Sequence, residues 1–385
     1  MNKEILSVLN KIENNGFVAY IVGGYVRDYL LKLPLTDVDI ITNATPKDLS
    51  EIFDNIKKTY IEYGSVKLFI NNQIIDITSM RKDLLYKNNK PVEIEYTNDV
   101  ESDLKRRDFK MNTLLMDKDG NIIDLLGGKL DIYNKIITPV NEVNTLFMED
   151  KTRVLRAIRF MTTLNMKLDA SILNYIINNK EVFTKISNTK IKSELDKIFK
   201  SKRSGKFISF IKQYNLEEYI GIIPTNKFKS THTLVSSYAE LKITRNLPFT
   251  KYEKESISKI KKLIEKKSLT KWDIYKNGLY ISMCASEVLG ISKKEINLIY
   301  TNLPINSIID IDLKPEEICS YLNIEPNYLL GKILHNLEYD IIMNNVPNKK
   351  EILLERISDY INEWYKKRIS KKRLYNKYKH SKNNF

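Results

Sequence analysis

Cysteine is nearly absent: 385 residues carry two, Cys284 and Cys319, each isolated in the chain. That leaves out a disulfide framework and a Cys-based zinc site, and it points to an intracellular, cytoplasmic protein. No apolar run is long enough for a membrane helix, so no membrane partner is expected, and Met1-Asn2-Lys3-Glu4 opens no signal-peptide pattern. No internal repeat is apparent. Acidic residues also run out, because none follows Glu363, whereas Lys366, Lys367, Arg368, Lys371, Lys372, Arg373, Lys377, Lys379 and Lys382 do. That end is either a solvated tail or an arm that binds a nucleic-acid backbone.

What is present is length and positive charge. Lys and Arg total 63 against 48 Asp and Glu, a formal +15 with pI near 9.3. Such an excess steers polyanions towards the protein and makes their binding salt-sensitive, without conferring sequence specificity. The length exceeds one small core and implies roughly two to four modules.

The chemistry concentrates near the front. Phe17-Val18-Ala19-Tyr20-Ile21-Val22 is a short apolar run suited to a buried strand, and it ends in Gly23-Gly24. Glycine lets the backbone approach a ligand closely. The segment Val26 to Leu33 reads as a helix whose first amides would face an anion. Asp37-Val38-Asp39 follows, and residues i and i+2 of a strand project from one face, so both carboxylates can converge on one cation. Oxygen ligands of this kind suit Mg²⁺, which binds through one or two carboxylates plus substrate phosphates. With two metal ions, such a site would stabilise the attacking and leaving oxygens of a displacement at phosphorus. An Asp-x-Asp pair alone is a common surface feature; the preceding Gly-Gly and Arg27 make it a candidate site. Asp76, in Ile74-Ile75-Asp76-Ile77-Thr78, is either a third carboxylate on a neighbouring strand or an edge residue facing water.

Strand patterns are confined to the first part. Gly64 to Ile70 and Gln73 to Thr78 flank Asn71-Asn72 as a hairpin, and β character recurs at Val92 to Tyr96 and Ile122 to Leu125. After about residue 145 helical periodicity predominates, as in Lys190 to Phe199, Lys254 to Lys267 and Glu351 to Lys367, with breaks near Pro224, Pro248, Pro304 and Pro347. The expected architecture is α+β: a mixed-sheet catalytic head followed by helical modules.

On a helical wheel through Glu149 to Phe160, Val154, Ala157, Ile158 and Met161 share one side, while Arg153, Arg156 and Arg159 share the other. The plain reading is a solvated charged face. The alternative uses Asp150 and Arg153, one turn apart, as an acceptor and a planar donor fork able to pair with a base edge.

The run GGYVRDYLLKLPLTDVDIIT resembles the head motif of the class II nucleotidyltransferases, the superfamily of bacterial CCA-adding enzymes and poly(A) polymerases. Three further segments match in order: Lys105-Arg106-Arg107-Asp108-Phe109 with Asn112; Asp124-Leu125-Leu126-Gly127-Gly128 with Asp131; and Glu149-Asp150-Lys151-Thr152-Arg153 running into Leu155-Arg156-Ala157-Ile158-Arg159-Phe160. The resemblance implies a polymerase-beta-like head (1–140), a helical neck (141–200), a helical body (201–300) and a helical tRNA-binding tail (301–385). It also implies that Asp37 and Asp39 are the catalytic metal ligands, holding Mg²⁺, and that Gly24, Arg27, Arg107 and Asp108 contact the triphosphate and ribose. Asp150 and Arg153 would read CTP and ATP as a protein template, Arg156 and Arg159 would hold the nucleotide, and Glu149 would orient Arg153.

Within the superfamily, Tyr63-Gly64-Ser65-Val66-Lys67 is similar to the small-residue segment of CCA-adding enzymes and lacks the Arg pair of bacterial poly(A) polymerases. The stretch GKILHNLEYDIIMNNVPNKKEILL, from Gly331 to Leu354, resembles the tail of Bacillus-type CCA-adding enzymes. Lys90 stands before Pro91 where the family usually has Arg, in a loop used in switching from C to A addition, so a CC-adding or A-adding specialist is the alternative. No His-Asp pair surrounds His232, so no phosphohydrolase module is expected. A silent RNA-binding relative would have lost a carboxylate or the Asp150–Arg153 pair, and both are present. The expected reaction is CCA addition to the tRNA 3′ end, releasing pyrophosphate.

Overall fold

The computed structural model describes residues 2–57, 61–71, 73–87, 90–225 and 228–381, with the backbone alone at 90, 365 and 367–381. The chain divides into two compact units, residues 1–237 with 241–248, and residues 238–240 with 249–385.

The first unit opens with a seven-stranded mixed sheet. Its strands are β1 (Ala19–Val22), β2 (Val38–Thr42), β3 (Ile56–Lys57), β4 (Ser65–Ile70) and β5 (Gln73–Ser79), with β8 (Leu115–Met116) and β9 (Ile122–Ile123) completing it; a separate hairpin consists of β6 (Arg81–Lys87) and β7 (Lys90–Tyr96). The sheet order is β3-β4-β5-β2-β1-β8-β9, and β2 and β5 are parallel. The period of two sorts the side chains. Ile21, Val38, Ile40, Val66, Leu68, Ile75 and Ile77 enter one core with helix α1 (Lys3–Asn14), which buries Ile5, Val8, Leu9 and Ile12 at helical spacing. Val22 and Ile41 face the other way, onto Met80, Leu104 and Leu115. Asp37 and Asp39 share parity with Ile41 and so belong to this second face.

Short helices join the strands: α2 (Gly24–Leu30), α3 (Pro46–Ile52), α4 (Val100–Lys105) and α5 (Gly128–Asn134). Helix α3 starts where its sequence dictates, on a Thr45–Asp48 capping box with Pro46 in the first turn. Helix α2 ends at Leu30, three residues before its expected end, where Leu31 caps it and Lys32 takes a positive φ of 54°. The β4–β5 hairpin forms as expected and turns through Asn71 at φ 42°; residue 72 lies outside the described residues. So do residues 88 and 89 and the side chain of Lys90, on which the expectation about C-to-A switching rests.

Helices then dominate. Helices α6 (Val143–Glu149), α7 (Thr152–Thr163), α8 (Ala170–Asn178) and α9 (Asn188–Phe199) follow in order. Two small β pairs interrupt the helical region, Ile136–Ile137 with Lys167–Leu168 and Ile222–Pro224 with Leu241–Ile243. The second unit is helical, with a core of Ile318, Ile333, Leu337, Ile341, Leu353 and Ile357 among others. Its last helix, Lys350–Ser381, contains the expected Glu351 to Lys367 segment. The basic side chains from 367 onward lie outside the described residues. No helix among the described residues is long and apolar enough to cross a membrane.

Candidate active site

The Gly-Gly turn forms first. Gly23 has φ 77° and ψ −126°, a backbone state costly for any other residue, and a Cβ there would sit 3.6 Å from Arg107 Nη1 and 3.9 Å from Asp39 Oδ2. The turn therefore brings Asp39, Arg107 and the start of α2 together. Asp39 lies opposite Val22 on β1 and opposite Asp76 on β5. Burial raises the Asp39 carboxyl above its ordinary range; Arg107 opposes this, and Asp76 and Asp37 add to it. A carboxylate strained in this way gains from a cation, and an oxygen-only donor set suits a hard divalent ion. Asp37 and Asp39 therefore fit a metal pair. Asp76 faces the same way, but it is ion-paired to Lys67 at 2.9 Å and does not line the pocket. Among the described residues no group of three His, Cys, Asp or Glu side chains gathers as a metal cluster.

Each arginine is set by a carboxylate. Arg27 is bidentate to Asp28 through Nε and Nη2, at 2.8 and 2.9 Å, and Nη1 donates to Asn112 Oδ1 at 2.7 Å. Arg107 Nη2 donates to Asp103 at 3.2 Å, while its buried Nε has no hydrogen-bond partner among the described residues. Asp108 accepts Asn112 Nδ2 and the Phe109 amide on Oδ1, and Arg156 Nε and Nη2 on Oδ2 at 2.8 and 2.6 Å. Burial alone would raise the Asp108 carboxyl; the Arg156 charge and the hydrogen bonds from Asn112 and Arg156 override it and lower it to about 2. Arg159 Nε pairs with Glu194 of α9. The ring of buried Phe160 then collects three guanidiniums, with the Cζ of Arg27, Arg156 and Arg159 at 5.0, 5.4 and 3.8 Å from its centre. This concentration of positive charge is held together by π-faces and carboxylates and favours a polyphosphate guest.

Asp150 and Arg153 do not share one continuous helix. Asp150 follows α6 in an extended state (φ −139°, ψ 102°), and α7 begins at Thr152. A wheel drawn from Asp150 therefore starts two residues before its helix. The two residues are still brought together, because the Arg153 amide donates to the Asp150 carbonyl and Asp150 Oδ1 accepts the Thr152 amide at 2.9 Å. Arg153 is not on a solvated face: it is 8% exposed and bonded to Glu149 Oε2 at 2.7 Å.

All ten expected site residues, Gly24, Arg27, Asp37, Asp39, Arg107, Asp108, Asp150, Arg153, Arg156 and Arg159, line one cavity of about 780 Å³. Helix α9 adds Lys190, Ser193, Glu194 and Lys197, which sequence reading passed over. Their i, i+3, i+4, i+7 spacing, on the face next to the buried Ile191, Leu195 and Ile198, was the available signal. The third motif is structural. Asp124 accepts the amides of Gly127, Gly128 and Lys129, each at 2.9 Å, Asp131 accepts from Thr138, and neither aspartate lines the cavity.

Paired carboxylates beside a Gly-Gly turn, an arginine cluster and a mixed-sheet head define a nucleotidyltransferase. The model of the poly A polymerase head domain matches residues 19–138, and that of the putative tRNA nucleotidyltransferase domain 2 matches residues 230–357. The chain belongs to the CCA-adding enzymes. It is 32% identical to the CCA-adding enzyme of Ligilactobacillus salivarius and 30% identical to that of Streptococcus gordonii, each over 94% of this chain and 97% of the relative. Its fold is that of the Bacillus stearothermophilus CCA-adding enzyme solved in complex with CTP (TM-score 0.85, 22% identity, 95% of this chain and 100% of that one). It also resembles the Thermotoga maritima enzyme complexed with tRNA (TM-score 0.68, 18% identity, 94% and 96%).

Proposed function

We propose that this cavity adds C, C and A in turn to the 3′ end of tRNA from CTP and ATP, with no nucleic-acid template, as a cytoplasmic step of tRNA processing. The observation that carries this reading is the convergence of Asp37 and Asp39 with Asp150 and Arg153 on one cavity. A group that can activate phosphate and a group that can read a base thereby face the same guest.

Asp37 and Asp39 would hold Mg²⁺, which when bound supplies charge neutralisation at the reacting phosphate. Arg27 and Arg107, with the Gly24 backbone, bind the triphosphate and orient its α-phosphorus. The 3′ hydroxyl oxygen of the tRNA forms the new P–O bond, the bond to the β-phosphate oxygen breaks, and pyrophosphate leaves. Asp150 accepts from the base and Arg153 donates to it, a pairing that protein side chains can imitate. Arg156 and Arg159 hold the nucleotide through the charge gathered around Phe160. Asp108 fixes Arg156 and stands beside the ribose. The head and neck correspond to residues 1–140 and 141–200. The body and tail, residues 201–300 and 301–385, grip tRNA by shape and backbone.

The test is 3′-end sequencing of tRNA transcripts that end before CCA, at C, or at CC, after incubation with Mg²⁺, CTP and ATP. Completion of all three to CCA is the expected result. Arrest at CC, or action on the CC transcript alone, would replace the reading with a specialist, and no addition at all would reduce the chain to a binding protein.

A further inference from the structure

In the state described, Arg153 has no terminal N–H to spare. Nη1 donates to the Leu146 carbonyl at 3.1 Å and to Glu149 at 2.7 Å; Nη2 donates to the Arg106 carbonyl at 2.7 Å and to the Tyr86 hydroxyl at 3.4 Å. Three of these acceptors are a carboxylate or a backbone carbonyl at ordinary hydrogen-bond distance. The fourth is a neutral hydroxyl and the most distant, so it is the contact that a base acceptor displaces at least cost.

Tyr86 is aimed at that position by an irregular strand. Strand β6 slips register between Asp83 and Leu85 and again between Leu85 and Tyr86. In a regular strand, residues 83 and 86 would point to opposite faces. The bulge turns them together, leaves Leu84 and Leu85 about half exposed, and lets the Tyr86 hydroxyl donate to Asp83 Oδ2 at 2.7 Å. Asp83 is itself buried against Arg81, at 2.7 Å. With its proton committed to Asp83, the hydroxyl can offer only a lone pair to Arg153. Burial first, and the Asp83 bond second, push the Tyr86 hydroxyl above its ordinary range, so it remains protonated at neutral pH. The Tyr86 ring lies 5.8 Å from the Arg153 guanidinium and limits its swing. Bulges that re-aim a side chain recur beside active sites.

We propose that Tyr86 is a positioning residue for base selection: its hydroxyl holds the Arg153 Nη2 donor in place until the acceptor edge of the incoming nucleobase takes it over. The inference rests on the reading of Arg153 as a base-reading residue. The role falls to Tyr86 through a single hydrogen bond to Arg153.

The experiment compares kcat/KM for CTP, UTP and ATP on tRNA transcripts, using the full-length wild type, Tyr86→Phe, Asp83→Asn and Arg153→Ala. Tyr86→Phe removes one oxygen and keeps the ring. Losing one such bond is expected to lower the preference for CTP over UTP by roughly fivefold to tenfold. Asp83→Asn, which frees the hydroxyl to turn, is expected to lower it in the same direction. A purely structural role would slow all nucleotides alike and leave the ratio unmoved. An unchanged ratio in folded Tyr86→Phe, with selectivity lost in Arg153→Ala, would overturn the role of Tyr86. An unchanged ratio in Arg153→Ala as well would overturn the base-reading role of Arg153 and, with it, the role of Tyr86.

Discussion

Arg156 places two donors, Nε and Nη2, on the single oxygen Oδ2 of Asp108, at 2.8 and 2.6 Å. This bond fastens helix α7 to the segment before β8, and its partner carboxyl is buried.

Its contribution to stability has a definite pH dependence. Asp108 is lowered to about 2 in the folded protein by Arg156 and Asn112, against the opposing effect of burial. A carboxylate with a depressed folded pKa adds stability that is fully present above its unfolded value, about 4, and is lost as pH falls through the folded one. Asp108→Asn is therefore expected to cost on the order of 2 kcal/mol at pH 7. The gap from wild type should narrow steadily between pH 5 and about 2. Urea unfolding across that range checks it, and a pH-independent gap would mean that the ion pair is not the source.

Gly128 has no room for a side chain. A Cβ there would lie 2.3 Å from the Lys110 carbonyl oxygen, a backbone atom that cannot swing aside. Gly128→Ala is expected to lower stability by about 2 kcal/mol or more. Thermal unfolding of the purified variant measures this directly.

Arg245 joins separate segments of the first unit. Its guanidinium donates to Asn188 Oδ1 at 2.7 Å and to the carbonyls of Phe183, Tyr219, Thr184 and Ile186. Removing it takes a donor from four carbonyls and Asn188 at once, so Arg245→Ala is expected to cost about 2 to 4 kcal/mol. Arg245→Lys should recover little of that loss, because an ammonium lacks the planar fork. Denaturant midpoints for both variants decide between packing and hydrogen bonding as the source.

Glu149 bonds Arg153 at 2.7 Å yet does not line the cavity. Glu149→Gln is expected to blur selection between CTP and UTP severalfold while leaving tRNA affinity at matched salt unchanged. Competition assays with both nucleotides, beside a filter-binding measurement, separate the two effects.

The site was legible where local chemistry decides it. The Gly23-Gly24 turn and the two alternate carboxylates follow from spacing, whereas the α7 arginines follow from it only as one helix face and from the family resemblance as site residues; the cavity gathers all of them. What the spacing hid depends on distant partners. The burial of Arg153 comes from the Arg106 and Leu146 carbonyls, and the pinning of Asp108 comes from Arg156, 48 residues away. The wheel misplaced Asp150 because a break between two helices leaves no trace in hydrophobic periodicity. The segment from Asp124 to Gly128 matched in order without showing its role, because a motif does not show whether its carboxylates face a ligand or cap a helix. In the fold, the head sheet and the long helices were readable from period, whereas the two-residue strands at Ile136–Ile137 and Lys167–Leu168 are too short to leave a pattern.

If one head carboxylate pair drives every addition while the neck pair chooses the nucleotide, loss of Asp39 must stop the addition of C and of A alike. Single-turnover extension by Asp39→Asn, with tRNA ending before CCA and at CC, measures this. Incorporation of both C and A is expected to fall by roughly a thousandfold, with tRNA binding unchanged. Extension by Asp39→Asn at the wild-type rate with either nucleotide would contradict it.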